Sequence, residues 1–335
     1  MQRARCATTL CLLALLGGAG RTHAREGDGS FCVLSVEETP GRLAILDPGG
    51  GVRARIPLGE RPHEVEVSPD GRTAYVSLFG IADYDNRIGV PGVRVARIDL
   101  ARATRVGEYR LPADVRGPHG VKLRPPSAAE LFVNAEVGSD TMLVFDVERG
   151  ALLRRFAVPA GTHNFVFSRS GDALFTFAGA GGVSRLDPVS GRILAHRDVG
   201  SPVRGLLVSR EGELLASARG EVVVLRATDL SVLRRLAAPR PGQLVYLDQL
   251  PDGTVVAPSL SDGGVAVFPP GGAPARFLPT GKTPIFARRG PDGRIYVANV
   301  DDDHLSVIRA EDLSQRVLGG VTTPNGLGFG ACPER

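Results

Sequence analysis

Three histidines of this sequence stand at matching positions within a recurring pattern. Each of His63, His119 and His163 comes second in a short segment that opens with proline or threonine and continues into apolar residues. A neutral imidazole can bind a transition metal, and it can take up or release a proton near neutral pH. The pattern therefore indicates two kinds of chemistry, metal binding and acid–base catalysis, if the fold brings the three rings together.

The elements that must position these residues are β-hairpins. In PHEVEVSPDGRTAYVSL, residues 62–78, valines alternate with glutamates as in a half-buried strand, and Ser-Pro-Asp-Gly favours a tight turn into a second strand. Related hairpins begin near residues 118, 162, 202, 244 and 284, with an incomplete one near 324. A repeat of about 40–50 residues with several strands per copy is typical of a β-propeller. We therefore predict an all-β fold, a seven-bladed β-propeller, with six or eight blades as the alternatives.

In a propeller the inner strands all begin on one face of the disc, and the loops between second and third strands return to that face. We expect the three histidines to lie there, with Glu136 assisting them in acid–base chemistry or holding a cation. The other candidates for a ligand-binding face are Asn325, Asp83, Asp85, Asn86, Asp302 and His304. The alternative role for these side chains is structural, in hydrogen bonds to loops or to channel water.

The two ends of the chain are expected to share a blade. The last copy, from Pro324 to Phe329, supplies only an inner strand, whereas the segment that begins at Phe31 resembles a second strand. Their pairing would complete one blade and close the ring. Alignment on the hairpin pattern places Cys332 at the tip, in the position of Asp70, and Cys32 near the position of Val76 on the returning strand. These positions are neighbours across the hairpin, so we predict a disulfide between the two cysteines; the alternative is two free thiols.

The first 24 residues have the pattern of a secretory signal. Arg3 and Arg5 precede an apolar run at residues 10–16, which is followed by small residues and Thr-His-Ala. The pattern predicts cleavage after Ala24 and a single propeller domain over residues 25–335. The mature protein is then expected in the periplasm or outside the cell, where a disulfide would persist.

Charge and composition limit the partners. The formal net charge of the chain is +4, and three of the basic residues lie in the predicted signal, so the mature chain is nearly neutral. No block of Lys and Arg with interleaved aromatic residues occurs, and we expect no nucleic-acid binding. The apolar run of the signal is too short to span a bilayer and no second one follows, so no membrane span is expected. We expect a monomer whose partner is a small molecule or a protein.

The segments GERPHEVEVSPDGRTAYVS, GKTPIFARRGPDGRIYVAN and LVFDVERGALLRRFAVP resemble the YVTN-repeat family of seven-bladed propellers, which overlaps the bacterial lactonase-like propellers. The resemblance covers the whole mature chain, although the literal YVTN tetrapeptide is missing. It implies a scaffold that serves binding proteins, enzymes and electron-transfer partners alike. A covalently attached c-type haem is not expected, since the sequence has no C-x-x-C-H motif.

Three hypotheses for function follow. The first is an exported, non-catalytic propeller that binds a ligand or protein partner on its histidine-bearing face. The second, which the resemblance allows, is a hydrolase or lyase acting on lactones, with His63, His119, His163 and Glu136 as acid–base groups. The third is a metal-linked redox accessory protein. The pattern names no cofactor, and a divalent metal ion at the three histidines is its one candidate.

Overall fold

A computed structural model describes residues 31–82 and 87–334 of the chain. The strands form seven four-stranded antiparallel sheets, the blades of a β-propeller. This architecture confirms the predicted all-β fold and the count of seven blades. The predicted signal, residues 1–24, lies outside the described residues. Within the described residues, no helix has the length and apolar character needed to cross a membrane.

In chain order, the strands of the first four blades are β1 (Cys32–Glu37), β2 (Arg42–Leu46), β3 (Val52–Pro57), β4 (Pro62–Val67), β5 (Thr73–Leu78), β6 (Arg94–Asp99), β7 (Thr104–Arg110), β8 (Arg116–Leu123), β9 (Glu130–Val137), β10 (Thr141–Asp146), β11 (Leu152–Ala157), β12 (Thr162–Phe167), β13 (Leu174–Ala178), β14 (Gly182–Leu186) and β15 (Ile193–Arg197).

The strands of the remaining blades are β16 (Gly205–Val208), β17 (Leu214–Ala218), β18 (Glu221–Leu225), β19 (Val232–Ala237), β20 (Asp248–Gln249), β21 (Val255–Ser259), β22 (Gly264–Phe268), β23 (Arg276–Pro279), β24 (Pro284–Arg289), β25 (Ile295–Asn299), β26 (His304–Ile308) and β27 (Gln315–Leu318). The last strand, β28 (Pro324–Gly330), returns to the first blade. Two short 3₁₀ turns, Pro270–Gly272 and Val300–Asp302, precede β23 and β26.

The ring closes where the two ends of the chain pair. Strand β28 runs antiparallel to β1, with Leu34 opposite Gly328 and Ser35 opposite Leu327. The order of this sheet is β28-β1-β2-β3, so the last strand of the chain is the inner strand of the first blade. The predicted closure is confirmed.

Each blade is apolar on both faces because it packs between two neighbours. All six residues of β1 are buried, whereas most of the outermost strand of the same blade, β3, is exposed. The middle strands are therefore nearly continuous apolar runs, whereas the outermost strands are largely exposed. This packing fixes the inner strands around a common axis.

A disulfide between Cys32 and Cys332 joins positions 300 residues apart in the sequence, as predicted. The two Cα atoms are 5.0 Å apart, and Cys32 is fully buried. The bond connects β1 to the segment that follows β28. It therefore cross-links the chain at the same place where the ring closes.

We expect reduction of this disulfide to lower the free energy of unfolding. A cross-link over 300 positions restricts the unfolded chain, and a chain-entropy argument gives on the order of 5 kcal/mol as an upper value. Urea unfolding with and without reductant measures the loss, and the Cys332→Ser variant should match the reduced wild type. Reductant should leave that variant unchanged, which is the control. Equal stability of the oxidised wild type and the variant would contradict the prediction.

Candidate functional site

The inner strands surround a central channel. Neighbouring inner strands β28, β4, β8 and β12 contact one another in sequence around the axis. The three predicted histidines lie where their strands begin, and we call this the histidine end of the channel. The other end, where the inner strands finish, is called the far end.

The structure brings the three histidines into one row. The ring centroids of His63 and His119 are 4.1 Å apart, and those of His119 and His163 are also 4.1 Å apart, with interplanar angles of 43° and 45°. Phe79 contacts the first two rings edge-on, at 5.5 and 4.9 Å. We call His63, His119 and His163 the histidine row. Residues 56 and 44 positions apart thus become neighbours because consecutive blades place them at the same height.

Irregular pairing at the start of the inner strands explains how the row forms. The strand register shifts between Pro62 and Val65 in β4, and a comparable shift occurs at the histidine in β8 and in β12. Strict alternation would turn a histidine and the following residue to opposite faces, whereas such an irregularity re-aims the side chains. As a result Glu64, which follows His63, approaches the His119 ring, with 4.0 Å between Oε1 and Nδ1.

Several ring nitrogens of the row have no hydrogen-bond partner within the described part of the chain. These are both nitrogens of His119 and Nδ1 of His63, all of them buried. A buried polar atom without a partner costs about 1–3 kcal/mol. Burial lowers the pKa of His63 to about 4, and burial together with the two neighbouring imidazoles lowers the pKa of His119 well below its ordinary value. Both rings are therefore neutral at pH 7 and have lone pairs available.

Two carboxylates complete the donor atoms around the row. Glu136 Oε2 lies 3.1 Å from His163 Nδ1, and the Glu136 side chain is 8% exposed. The groups His63–Glu64–His119 and His119–Glu136–His163 each offer three ligand atoms that lie within 4.8 Å of one another. His119 belongs to both groups. The arrangement can hold a transition-metal ion with mixed nitrogen and oxygen ligands.

Glu64 links the row to the middle of the channel. Its side chain is almost fully buried, accepts a hydrogen bond from Asn164 Nδ2 and lies 3.5 Å from Lys122 Nζ. Asn164 also donates to the hydroxyl of Tyr246, at 3.3 Å. Burial raises the pKa of Tyr246 well above its ordinary value, so this hydroxyl stays protonated. A polar connection thus runs from the histidine row to Tyr246.

Sequence reasoning missed Glu64, Lys122, Asn164 and Tyr246. The repeat does mark three of these residues. Glu64 and Asn164 directly follow histidines of the row, and Tyr246 occupies the position after the histidine in the blade-six copy. The alternating pattern of the strand identifies Glu64 only as a polar residue.

Asn325 lies at the histidine end, as its place in the repeat suggests. Its Nδ2 donates to Glu38 Oε2 at 3.1 Å and lies 3.4 Å from His63 Nε2. Burial raises the pKa of Glu38, although Asn325 and Arg61 oppose that shift. Asn325 therefore joins His63 to a further buried carboxylate that the sequence did not single out.

Two other predicted residues are engaged in loops. Asp302 accepts a hydrogen bond from the backbone of Lys282 at 2.8 Å, and the His304 ring bonds to the carbonyls of Thr280 and Asp302 at 3.0 and 3.2 Å. These contacts join blades six and seven, and neither residue contributes to the donor groups of the histidine row. The candidates Asp83, Asp85 and Asn86 lie outside the described residues.

We expect acid to destabilise the protein through these buried rings. The unfolded His63 takes up a proton near pH 6.5, whereas the folded one does so only near pH 4, so stability is complete above pH 6.5 and falls as the pH drops. The loss from His63 is about 2 kcal/mol at pH 5. Urea unfolding at pH 7 and pH 5, with a chelator, should show a smaller loss for His63→Phe than for the wild type.

The matched control for this experiment is His196→Gln, since His196 lies exposed on the outer strand β15. This variant should keep the acid sensitivity of the wild type. If His63→Phe lost as much stability between pH 7 and pH 5 as the wild type, His63 could not be the source of the acid sensitivity, and the prediction would be wrong.

Comparison with known proteins gives one relative by sequence and many by fold. No family profile matches the chain. Protein NirF of Pseudomonas aeruginosa is 32% identical over 174 residues, which are 47% of this chain and 44% of NirF. The matched part therefore spans less than half the length of that relative.

Solved structures match over most of the chain. Hydrazine synthase of Kuenenia stuttgartiensis has a TM-score of 0.67 at 17% identity, covering 82% of this chain and 90% of that one. A putative 6-phosphogluconolactonase of Bacteroides fragilis has 0.69 at 15%, covering 90% and 98%. The dihydro-heme d1 dehydrogenase NirN, solved in complex with DHE, has 0.62 at 16%, covering 90% and 75%. The chain therefore has the seven-bladed β-propeller fold that lactonase-like proteins share, as its repeats predict.

Proposed function

We propose that this protein is an exported binding propeller that takes up a transition-metal ion, free or at the centre of a small organic ligand, at the histidine row. In its general form this is a protein that uses its histidine end for a ligand or a protein partner. The observation that carries the metal is the pair of donor groups sharing His119, whose two ring nitrogens are buried and have no hydrogen-bond partner among the described residues.

The ligand atoms of the histidine row favour a bound transition-metal ion over ordered water. Nitrogen ligands from neutral imidazoles suit Zn, Cu, Ni and Fe, whereas Mg and Ca prefer all-oxygen sites. The low pKa values of His63 and His119 keep these rings unprotonated, so a metal has little competition from protons at neutral pH. The carboxylates of Glu64 and Glu136 would offset the charge of the ion. A purely structural row would leave the His119 nitrogens unsatisfied.

The comparisons support a metal-bearing ligand. NirN, which shares the fold, is named for a haem-type substrate and was solved with DHE bound. NirF is similar to about half of this chain. These likenesses are too partial to transfer an activity. They do support a ligand in which a metal could bind an imidazole of the row.

Export is part of the proposal. Disulfides persist in oxidising compartments, and the bond between Cys32 and Cys332 fits that setting. Together with the signal-like residues 1–24, it supports a location in the periplasm or outside the cell.

The test of the proposal is metal binding by the purified protein. Calorimetric titration with Co²⁺ and with Cu²⁺ should show about one ion bound per chain, and His119→Phe should weaken the affinity at least about tenfold, since it removes the shared ligand. Phenylalanine keeps the ring contacts with His63 and His163, so the fold should be retained. His196→Gln is the control and should bind like the wild type.

Two results would overturn the binding of a free metal ion at the histidine row. One is that the wild-type protein, stripped of metal with a chelator that is then removed, binds neither Co²⁺ nor Cu²⁺. The other is a His119→Phe variant with unchanged affinity, because the shared residue could not then be a ligand.

A second candidate, hydrolysis of lactones, is favoured by one contact. Glu136 holds His163 at 3.1 Å, which is the arrangement of an oriented general base. Incubation with a panel of lactones should then give turnover that falls about a hundredfold or more in Glu136→Gln, since general-base catalysis contributes about that much. Absence of turnover above buffer would remove this candidate and leave the binding proposal standing.

A further inference from the structure

We propose that the far end of the channel is a second binding site, one for a planar organic anion such as an aromatic carboxylate or sulfonate. This site opens at the opposite end of the channel from the histidine row and does not rest on the function proposed there. The two regions adjoin, because Asn164 and Tyr246 of the polar connection line the cavity and the Phe177 ring lies 6.0 Å from that of His163. Three features carry the inference: a cavity of suitable size, an aromatic wall, and an excess of cationic side chains at the rim.

A cavity of about 480 Å³ opens at the far end. Its lining includes residues from the later parts of inner strands, such as Val166 of β12 and Val208 of β16, and Asp248 of the short strand β20. Sites for small organic molecules occupy clefts of about 300–1,000 Å³. The cavity is therefore large enough for a ligand of one or two aromatic rings.

The inner wall of the cavity is aromatic. The rings of Tyr246 and Phe286 stack with centroids 4.7 Å apart and an interplanar angle of 19°, and Phe177 packs edge-on against Tyr246 at 6.3 Å. All three residues line the cavity. A flat apolar ligand can stack on such a surface, and stacking adds to the gain from burying its area.

The rim of the cavity has more cations than anions. Arg169, Arg288 and Arg289 line it against the carboxylates of Glu66 and Asp248. A fourth lining cation, Lys122, lies 3.5 Å from Glu64 and offsets the charge of that buried carboxylate. Arg288 lies 3.8 Å from Glu66, which is longer than a good hydrogen bond, and its side chain is 35% exposed. A guanidinium has five N–H donors, so Arg288 can still bind a carboxylate or sulfonate from solvent.

The two ends of the channel thus differ in the ligand charge they favour. The carboxylates of Glu64 and Glu136 contact the histidine row, and that of Glu38 is joined to His63 through Asn325, so a cation is favoured there. At the far end, cations surround an apolar wall. This combination fits a molecule with an apolar ring and an anionic group, and it disfavours a neutral ring or a cation.

The experiment compares two fluorescent probes that differ by one charge. We would titrate the protein spanning residues 25–335 with 8-anilinonaphthalene-1-sulfonate and with N-phenyl-1-naphthylamine, which lacks the sulfonate. The anionic probe should bind more tightly, and 0.5 M salt should weaken only its binding. The Arg288→Gln and Arg289→Gln variants should each weaken the sulfonate about tenfold, as expected for loss of one charge-assisted contact, and should leave the neutral probe unchanged.

Two controls locate the probe. Arg226→Gln removes an arginine from blade five whose side chain is 53% exposed, and it should leave both probes unaffected. His119 lies at the histidine end, so His119→Phe should weaken sulfonate binding less than Arg288→Gln does. Circular dichroism on each variant checks that the probe reports a folded protein.

Three outcomes would overturn the inference. The first is equal affinity for the two probes, which would remove the role of charge. The second is the same affinity in Arg288→Gln, Arg289→Gln and Arg226→Gln, which would mean that the rim arginines only hold neighbouring carboxylates. The third is loss of sulfonate binding in His119→Phe together with retained binding in Arg288→Gln and Arg289→Gln, which would place the probe at the histidine row.

Discussion

The pairing of β28 with β1 is the contact on which the rest of the structure depends. Seven sheets can share one axis only if the ring is closed, and closure requires the last strand of the chain to become the inner strand of the first blade. Asn325 then reaches His63 although 262 positions separate them. The cross-link between Cys32 and Cys332 acts at the same junction. Without closure, the first and last blades would part at the edge of the histidine row.

A second constraint is local, and it decides which side chains face the channel. In a regular strand, successive residues point to opposite faces, so His63 and Glu64 could not both approach His119. The register shift between Pro62 and Val65 removes that restriction. Each histidine-bearing inner strand has a comparable irregularity, and the row depends on all of them. Irregular pairing of this kind often re-aims a side chain next to a functional site.

The repeat made the fold and the three histidines predictable, because matching positions in consecutive copies must become neighbours in a propeller. The partner of each histidine was harder to predict. Asn164 bonds to Glu64 across 100 positions, and that contact depends on the irregular register, which hydrophobic periodicity does not reveal. Tyr246 precedes the inner strand of blade six, β20, which is only two residues long.

His304 shows what residue type and loop position leave open. Its place after a second strand predicts the ligand-binding face, with a structural role as the alternative, and in the structure its ring nitrogens bond to the carbonyls of Thr280 and Asp302. Residue type and loop position could not separate a side chain that supports the connection between blades from one that faces the channel. Only the hydrogen-bond partners make that distinction.

The charge of Glu64 connects the two ends of the channel. A carboxylate this deeply buried needs compensation, because desolvation of an unpaired charge costs several kcal/mol. Lys122 supplies positive charge from the far end at 3.5 Å, and Asn164 supplies a hydrogen bond. On the other side stands His119, a ring that burial keeps neutral. A metal ion bound by that ring would provide the second positive charge next to Glu64, so the position of the carboxylate itself argues for a cation at the histidine row.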